Sequence, residues 1–217
     1  MTEVELLRSL PKGKRNLQAR ATAKTDDLIA LSRQYGKDYF DGSRDVGYGG
    51  YWYDGRWKLV AKDIVSHYGL SPGDKVLDVG CAKGFLVKDL LAEGIDAYGV
   101  DVSEYALMNC EPEAVGRLHI GSAEHLPFPD KSFDVVLAIN VLHNLHKPEL
   151  IQALHEMERL ARKGKFVQVD SYRTEEERAI FESWVLTAHT YGYPHEWRAL
   201  FDEAGYTGDH YWTLING

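Results

Sequence analysis

From Lys75 onward the chain alternates short apolar runs with stretches of helical periodicity, and this alternation restricts the fold more than any other feature. A strand, a helix and another strand in succession form a βαβ unit, whose strands lie parallel because the helix carries the chain back across the sheet. The expected strands are 75–79 (KVLDV), 96–100 (DAYGV), 117–120 (RLHI), 133–139 (FDVVLAI) and 165–170 (KFVQVD). Helices are expected at 58–68, 84–93, 103–110, 148–162, 174–189 and 194–204. The expected class is therefore α/β, a Rossmann-like, mostly parallel sheet flanked by helices. In the 174–189 helix, Ile180, Phe181, Trp184, Val185 and Ala188 recur at helical spacing and read as core rather than as a cofactor box.

The first 57 residues follow a different pattern. Residues 1–35 read as one or two helices broken at Pro11 and Gly13, and residues 39–57 (YFDGSRDVGYGGYWYDGRW) are dense in glycine and aromatics. We expect an N-terminal helical extension and aromatic lid over 1–57, ahead of the main domain at 58–217. A length of 217 residues suits one such domain with extra structure. The net charge of −8 argues against a nucleic-acid partner, because phosphate contacts need a basic face, and favours a small or neutral substrate. The local basic excess of Arg8, Lys12, Lys14, Arg15, Arg20 and Lys24 reads as a solvated helical face. Cys81 and Cys110 make neither a disulfide framework nor a metal site. With no apolar run near the ~20 residues that span a bilayer, the expectation is a cytoplasmic protein with no membrane partner; a homo-oligomer stays open.

The segment KVLDVGCAKGFLVKDL (75–90) carries the chemistry: an apolar strand ends in an acid and leads through small residues into an amphipathic helix. Gly80 and Gly84, with Cys81 and Ala82 between them, let backbone N–H groups approach a carboxylate at the helix N-terminus. About 20 residues on, the second strand ends in Asp101, where an acid accepts the hydroxyls of a ribose. A glycine turn between strand and helix is weak evidence taken alone; its conjunction with Asp101 is what points to a nucleotide-like cofactor.

Together with VLDVGCAKG and YGVDVS, the stretch GSAEHLPFPDKSFDVVLAINVLHNL (121–145) resembles the class I S-adenosylmethionine-dependent methyltransferases, small-molecule branch, over roughly residues 70–170. The aromatic N-terminal segment resembles bacterial enzymes of surface-polysaccharide or natural-product clusters. The resemblance implies S-adenosylmethionine as cofactor and a small-molecule or sugar acceptor, methylated on oxygen. It makes Gly80 and its neighbours the floor under the methionine moiety, Asp101 the ribose ligand and Val102 a surface for adenine. Ser122 and Ala123 match the segment at the adenine edge, with serine where the family usually has an acid. Asn140 matches a position whose main chain faces the methionine amine. Ala82 replaces the usual middle glycine, and YTGDHYWTLING, all that follows the last helix, is short for the family's closing two-strand hairpin, so the last strand is expected to be missing or reduced.

Each of these residues also has a plainer reading. Asp78 touches the sulfonium region through water or amine contacts or caps the following helix; Cys81 is a packed loop residue, and Lys83 is expected to be solvated. His143, just after the fourth strand, is either a base or substrate contact or a structural hydrogen-bonding residue, while His146 reads as surface. Asp170, Tyr172 and Arg173 end the fifth strand, where open α/β sheets place ligands, and either orient a polar substrate or form a turn. Tyr48, Tyr51, Trp52, Tyr53 and Trp57 are lid candidates, with Arg56 reaching for a carboxylate. Two rival functions remain, a nicotinamide-dependent oxidoreductase and a non-catalytic cofactor-binding module. Against the first, Phe85 stands where the dinucleotide fingerprint needs a glycine.

Overall fold

The computed structural model describes residues 1–10, 22 and 24–214. The expected break at Pro11 and Gly13 and four of the basic residues, Lys12, Lys14, Arg15 and Arg20, lie outside them. Six strands form the sheet: β1 (Lys75–Val79), β2 (Asp96–Asp101), β3 (Leu118–Ile120), β4 (Phe133–Ile139), β5 (Ala161–Ser171) and β6 (Asp209–Leu214). Their order is β3-β2-β1-β4-β5-β6 and every pairing is parallel. From β1 the chain runs outward to β3 and then crosses back to β4 on the other side of β1. That reversal splays the loops at the carboxyl ends of β1 and β4 and leaves a crevice between them.

Alternate residues of the central strands feed the two faces, as the period of an extended chain requires. Leu77, Val136 and Ala138 pack under α6 (Lys147–Leu160) and α8 (Pro194–Glu203), with Leu150, Leu154, Trp197 and Phe201. Val76, Val135 and Leu137 pack on the opposite face against α3 (Trp57–Tyr68) and α4 (Phe85–Ala92), with Val60, Ile64, Leu86 and Leu90. Such continuously apolar strands are those of a sheet covered on both faces. Three short helices complete the frame: α1 (Asp26–Ser32), α2 (Lys37–Asp41) and α5 (Glu104–Met108). Thr25 and Ser103 cap α1 and α5, accepting N–H groups at 3.3 and 3.0 Å.

Three elements differ from the sequence expectation. Helix α6 stops at Leu160, because Ala161 already pairs with Phe133 and β5 runs from there for 11 residues. Helix α7 (Glu175–Trp184) ends before Val185, whose extended backbone turns the chain toward the site. The last strand, expected to be missing or reduced, is present as the six-residue parallel β6, whose free edge is covered by the start of the chain: the Val4 N–H donates to the His210 carbonyl and the His210 N–H to the Thr2 carbonyl, both at 2.9 Å. Residues 1–10 therefore satisfy an exposed sheet edge instead of forming a helix, and Leu6 and Leu7 are buried in the main core.

Candidate active site

The loop after β1 is shaped by three residues with left-handed backbone: Gly80 (φ 78°), Ala82 (φ 49°) and Gly84 (φ 74°). At Gly80 a Cβ would lie 2.5 Å from the Val141 side chain, so the loop needs glycine for space as well as for its dihedrals. The Gly80 and Cys81 N–H groups both donate to the Val100 carbonyl, which pins the loop to β2. Beneath it lies a cavity of about 330 Å³, at the small end of ligand pockets. Asp78, Gly80, Cys81, Ala82, Asp101, Val102, Ser122, Ala123, Asn140 and Tyr51 all line it, so most of the residues singled out in the sequence converge. Gly84 stands behind the wall, where it packs against Ala114 and starts α4.

Two carboxylates face this space. Asp78 is buried and, among the described residues, accepts no hydrogen bond; burial, and secondarily the charge of Asp101, pushes its carboxyl up to about 8. An acid held this way answers to a cationic group. Asp101 is half-buried, and burial raises its pKa while the Ser103 and Ala82 N–H groups, each at 2.8 Å, hold its two oxygens in place. The Val102 N–H adds to this cradle, and the carboxylate borders the cavity. Ser122 does not replace an acid by itself, for its hydroxyl donates to Glu124 Oε1 at 2.8 Å and Glu124 lines the same wall.

The aromatic segment covers the cavity as a set of packed rings. Tyr51 stacks on Phe85 at 4.6 Å and meets Tyr48 at 4.3 Å. Tyr35, Tyr39 and Phe40, which the sequence did not single out, join them on the wall with Trp57. Trp52 instead is 71% exposed, and Tyr53 turns outward to donate to Asp89 at 2.6 Å. Arg56 sits outside the cavity, where it pairs with Asp54 at 2.6 Å. The expectation of a solvated Lys83 is corrected: its ammonium is buried, 2.7 Å from Asp41 Oδ2 and 2.8 Å from the Tyr51 carbonyl. Tyr105 donates to the same Asp41 carboxylate at 2.7 Å. The sequence offered no sign of this clasp, since Asp41 lies 42 residues from Lys83.

Beyond Asn140 the crevice continues into a second cavity of about 210 Å³. His143 and Asp170 meet there, both buried. The Asp170 backbone N–H donates to His143 Nδ1 at 3.0 Å, which consumes the lone pair of the neutral ring and leaves its proton on Nε2, 3.5 Å from Asp170 Oδ2. A ring held in this way has no free lone pair. His146 is exposed, as expected, and its ring meets that of His189 at 3.9 Å, tilted by 38°. Of the other β5-end candidates, Tyr172 is buried in a small cluster with Phe181, while Arg173 is exposed and its N–H donates to Glu177.

Residues 77–168 match the family model described as a methyltransferase domain, a span that holds both carboxylates, the glycine loop and β4. Over this segment the chain is similar to methyltransferase domains. The chain is similar to the demethylmenaquinone methyltransferase of Lysinibacillus sphaericus, with 32% identity over 48% of this chain and 47% of that protein. It is also 34% identical to the ubiquinone biosynthesis O-methyltransferase of Azoarcus sp., over 46% and 45%. It thus spans about half the length of these curated relatives. Among solved structures, a SAM-dependent methyltransferase from Archaeoglobus fulgidus shares the fold, with a TM-score of 0.54, 20% identity and coverage of 69% of this chain and 68% of the other. No helix among the described residues is long and apolar enough to cross a membrane.

Proposed function

We propose that the whole protein transfers a methyl group from S-adenosylmethionine to a hydroxyl of a small-molecule acceptor. The observation that carries this reading is Asp78, a buried carboxylate that accepts no hydrogen bond among the described residues, on the wall of the switch-point cavity. The residues fit the cofactor: Asp78 suits its ammonium, the Gly80–Ala82 loop its carboxylate, Asp101 its ribose hydroxyls, and Val102, Ser122 and Ala123 its adenine. The cofactor supplies an activated methyl on a sulfonium centre. The Asn140 main chain, at the end of β4 with left-handed backbone (φ 56°), borders both cavities and suits the methionine end.

What the chain's own residues contribute is placement, shielding and proton removal. The rings of Tyr48, Tyr51 and Phe85 shield the cavity from water and present faces that attract a sulfonium. Residues 1–57 serve as extension and cover to the domain at 58–217. For the proton, the neutral His143 ring acts as an Nε2–H donor that orients Asp170, and the Asp170 carboxylate is the base, within the second cavity. The test is a turnover assay with labelled cofactor and candidate hydroxyl acceptors. Methyl that leaves the cofactor in the wild type, and slows by about 10²- to 10⁴-fold in Asp170→Asn, supports the reading. A protein that binds the cofactor and never releases methyl to any hydroxyl acceptor would be a binding module.

A further inference from the structure

We infer that the second cavity is the acceptor subsite and that it selects a compact polyhydroxy ring, a neutral or amino sugar, against an acidic one. This rests on the methyl-transfer reading above and adds the chemistry of the acceptor. The cavity, about 210 Å³, has two kinds of wall. Tyr39, Tyr48 and Trp184 give it aromatic surface, on which the C–H face of a sugar ring can lie. The lining also holds two hydrogen-bond acceptors that lack close donors. Asn144, which lines both cavities, has its Oδ1 fully buried and without a partner among the described residues. The Asp170 carboxylate, on a residue only 9% exposed, has no contact from a described donor closer than His143 Nε2 at 3.5 Å.

Buried acceptors left without donors are costly, and a ligand that supplies O–H or N–H groups removes that cost. A hydroxyl or ammonium does so; a carboxylate or phosphate brings more acceptors and a like charge beside Asp170. Arg44, at the exposed rim, directs its guanidinium to the Tyr48 carbonyl and so is engaged with the lid. The cavity is also smaller than the one that holds the cofactor residues, which limits the bound part of the acceptor to about one ring.

The experiment is saturation-transfer NMR on the full chain loaded with S-adenosylhomocysteine, whose binding is measured by calorimetry on the same samples. The probes are the methyl glycosides of glucose, galactose and mannose, their 2-amino counterparts and the matching uronic acids. Saturable contacts from a neutral or amino glycoside, at least tenfold tighter than from its uronic acid, are expected. Trp184→Ala, which alters the second cavity and not the cofactor cavity, should weaken that glycoside by about tenfold with S-adenosylhomocysteine affinity unchanged, and Asp170→Asn should narrow the gap to the uronic acid. Uronic acids that bind as well as the others, or a panel that shows no contact while S-adenosylhomocysteine binds, would overturn the inference. Failure of S-adenosylhomocysteine itself to bind would instead remove the methyl-transfer reading beneath it.

Discussion

Asp78 makes the sharpest demand on the residues around it, because its carboxyl is held near 8 by burial while an unfolded aspartate titrates near 3.9. Between those values the folded state holds the extra proton, so the stability of the unliganded protein falls as pH rises from about 4 to about 8. Asp78→Asn keeps the shape without the charge and should raise the melting temperature near pH 8, a gain that shrinks toward pH 4; an equal gain at both pH values would contradict the assignment. A cofactor ammonium favours the ionised form, so binding near pH 7 should release a fraction of a proton, seen as binding heats that change with the ionisation enthalpy of the buffer. Asp78→Asn should abolish that dependence. His143 shows a different limit of residue-level reasoning. Its place after β4 was legible, and its role was not, since the N–H that occupies Nδ1 comes from Asp170, 27 residues away. His143→Ala should slow turnover through Asp170 while cofactor affinity measured by calorimetry stays within about twofold.

At the scale of elements, the aromatic segment is joined to the cofactor loop by charge as well as by rings. Lys83 carries the glycine loop's own ammonium into Asp41 and the Tyr51 carbonyl, so the lid and the loop are expected to order together. Removing the lysine leaves Asp41 only partly solvated; Lys83→Met should cost about 1 to 3 kcal/mol, below the range for a fully buried pair. Protease cleavage between Tyr39 and Trp57 should slow when cofactor is added to the wild type and slow less in Lys83→Met. Cleavage indifferent to cofactor in both would make the segment static cover. The strands β1 and β4 were legible to the residue because they are apolar on both faces. Helix ends were less so: α6 gives way to β5 at Ala161 because strand pairing with Phe133 outweighs local helical propensity.

Across the whole molecule, the parallel order and the crevice at its reversal follow from the βαβ alternation, and the cofactor side of the site follows from the fold. What the sequence did not disclose joins distant segments: the N-terminal edge on β6, the Lys83 clasp and the second cavity between the lid and the end of α7. Deleting residues 1–10 should destabilise the protein by roughly 3 to 6 kcal/mol, the burial worth of Leu6 and Leu7, with a lower denaturant midpoint as the readout. The central claim is that Asp78, the glycine loop and Asp101 form one cofactor site for a sulfonium nucleoside. Calorimetric titration of the full chain with S-adenosylmethionine, S-adenosylhomocysteine and NADH tests it most directly. Saturable heat is expected with both sulfur compounds and none with NADH, and Asp101→Ala should weaken the sulfur compounds by about 1.5 to 3 kcal/mol. Saturable NADH binding with no heat from either sulfur compound, or affinities that Asp101→Ala leaves unchanged, would contradict it.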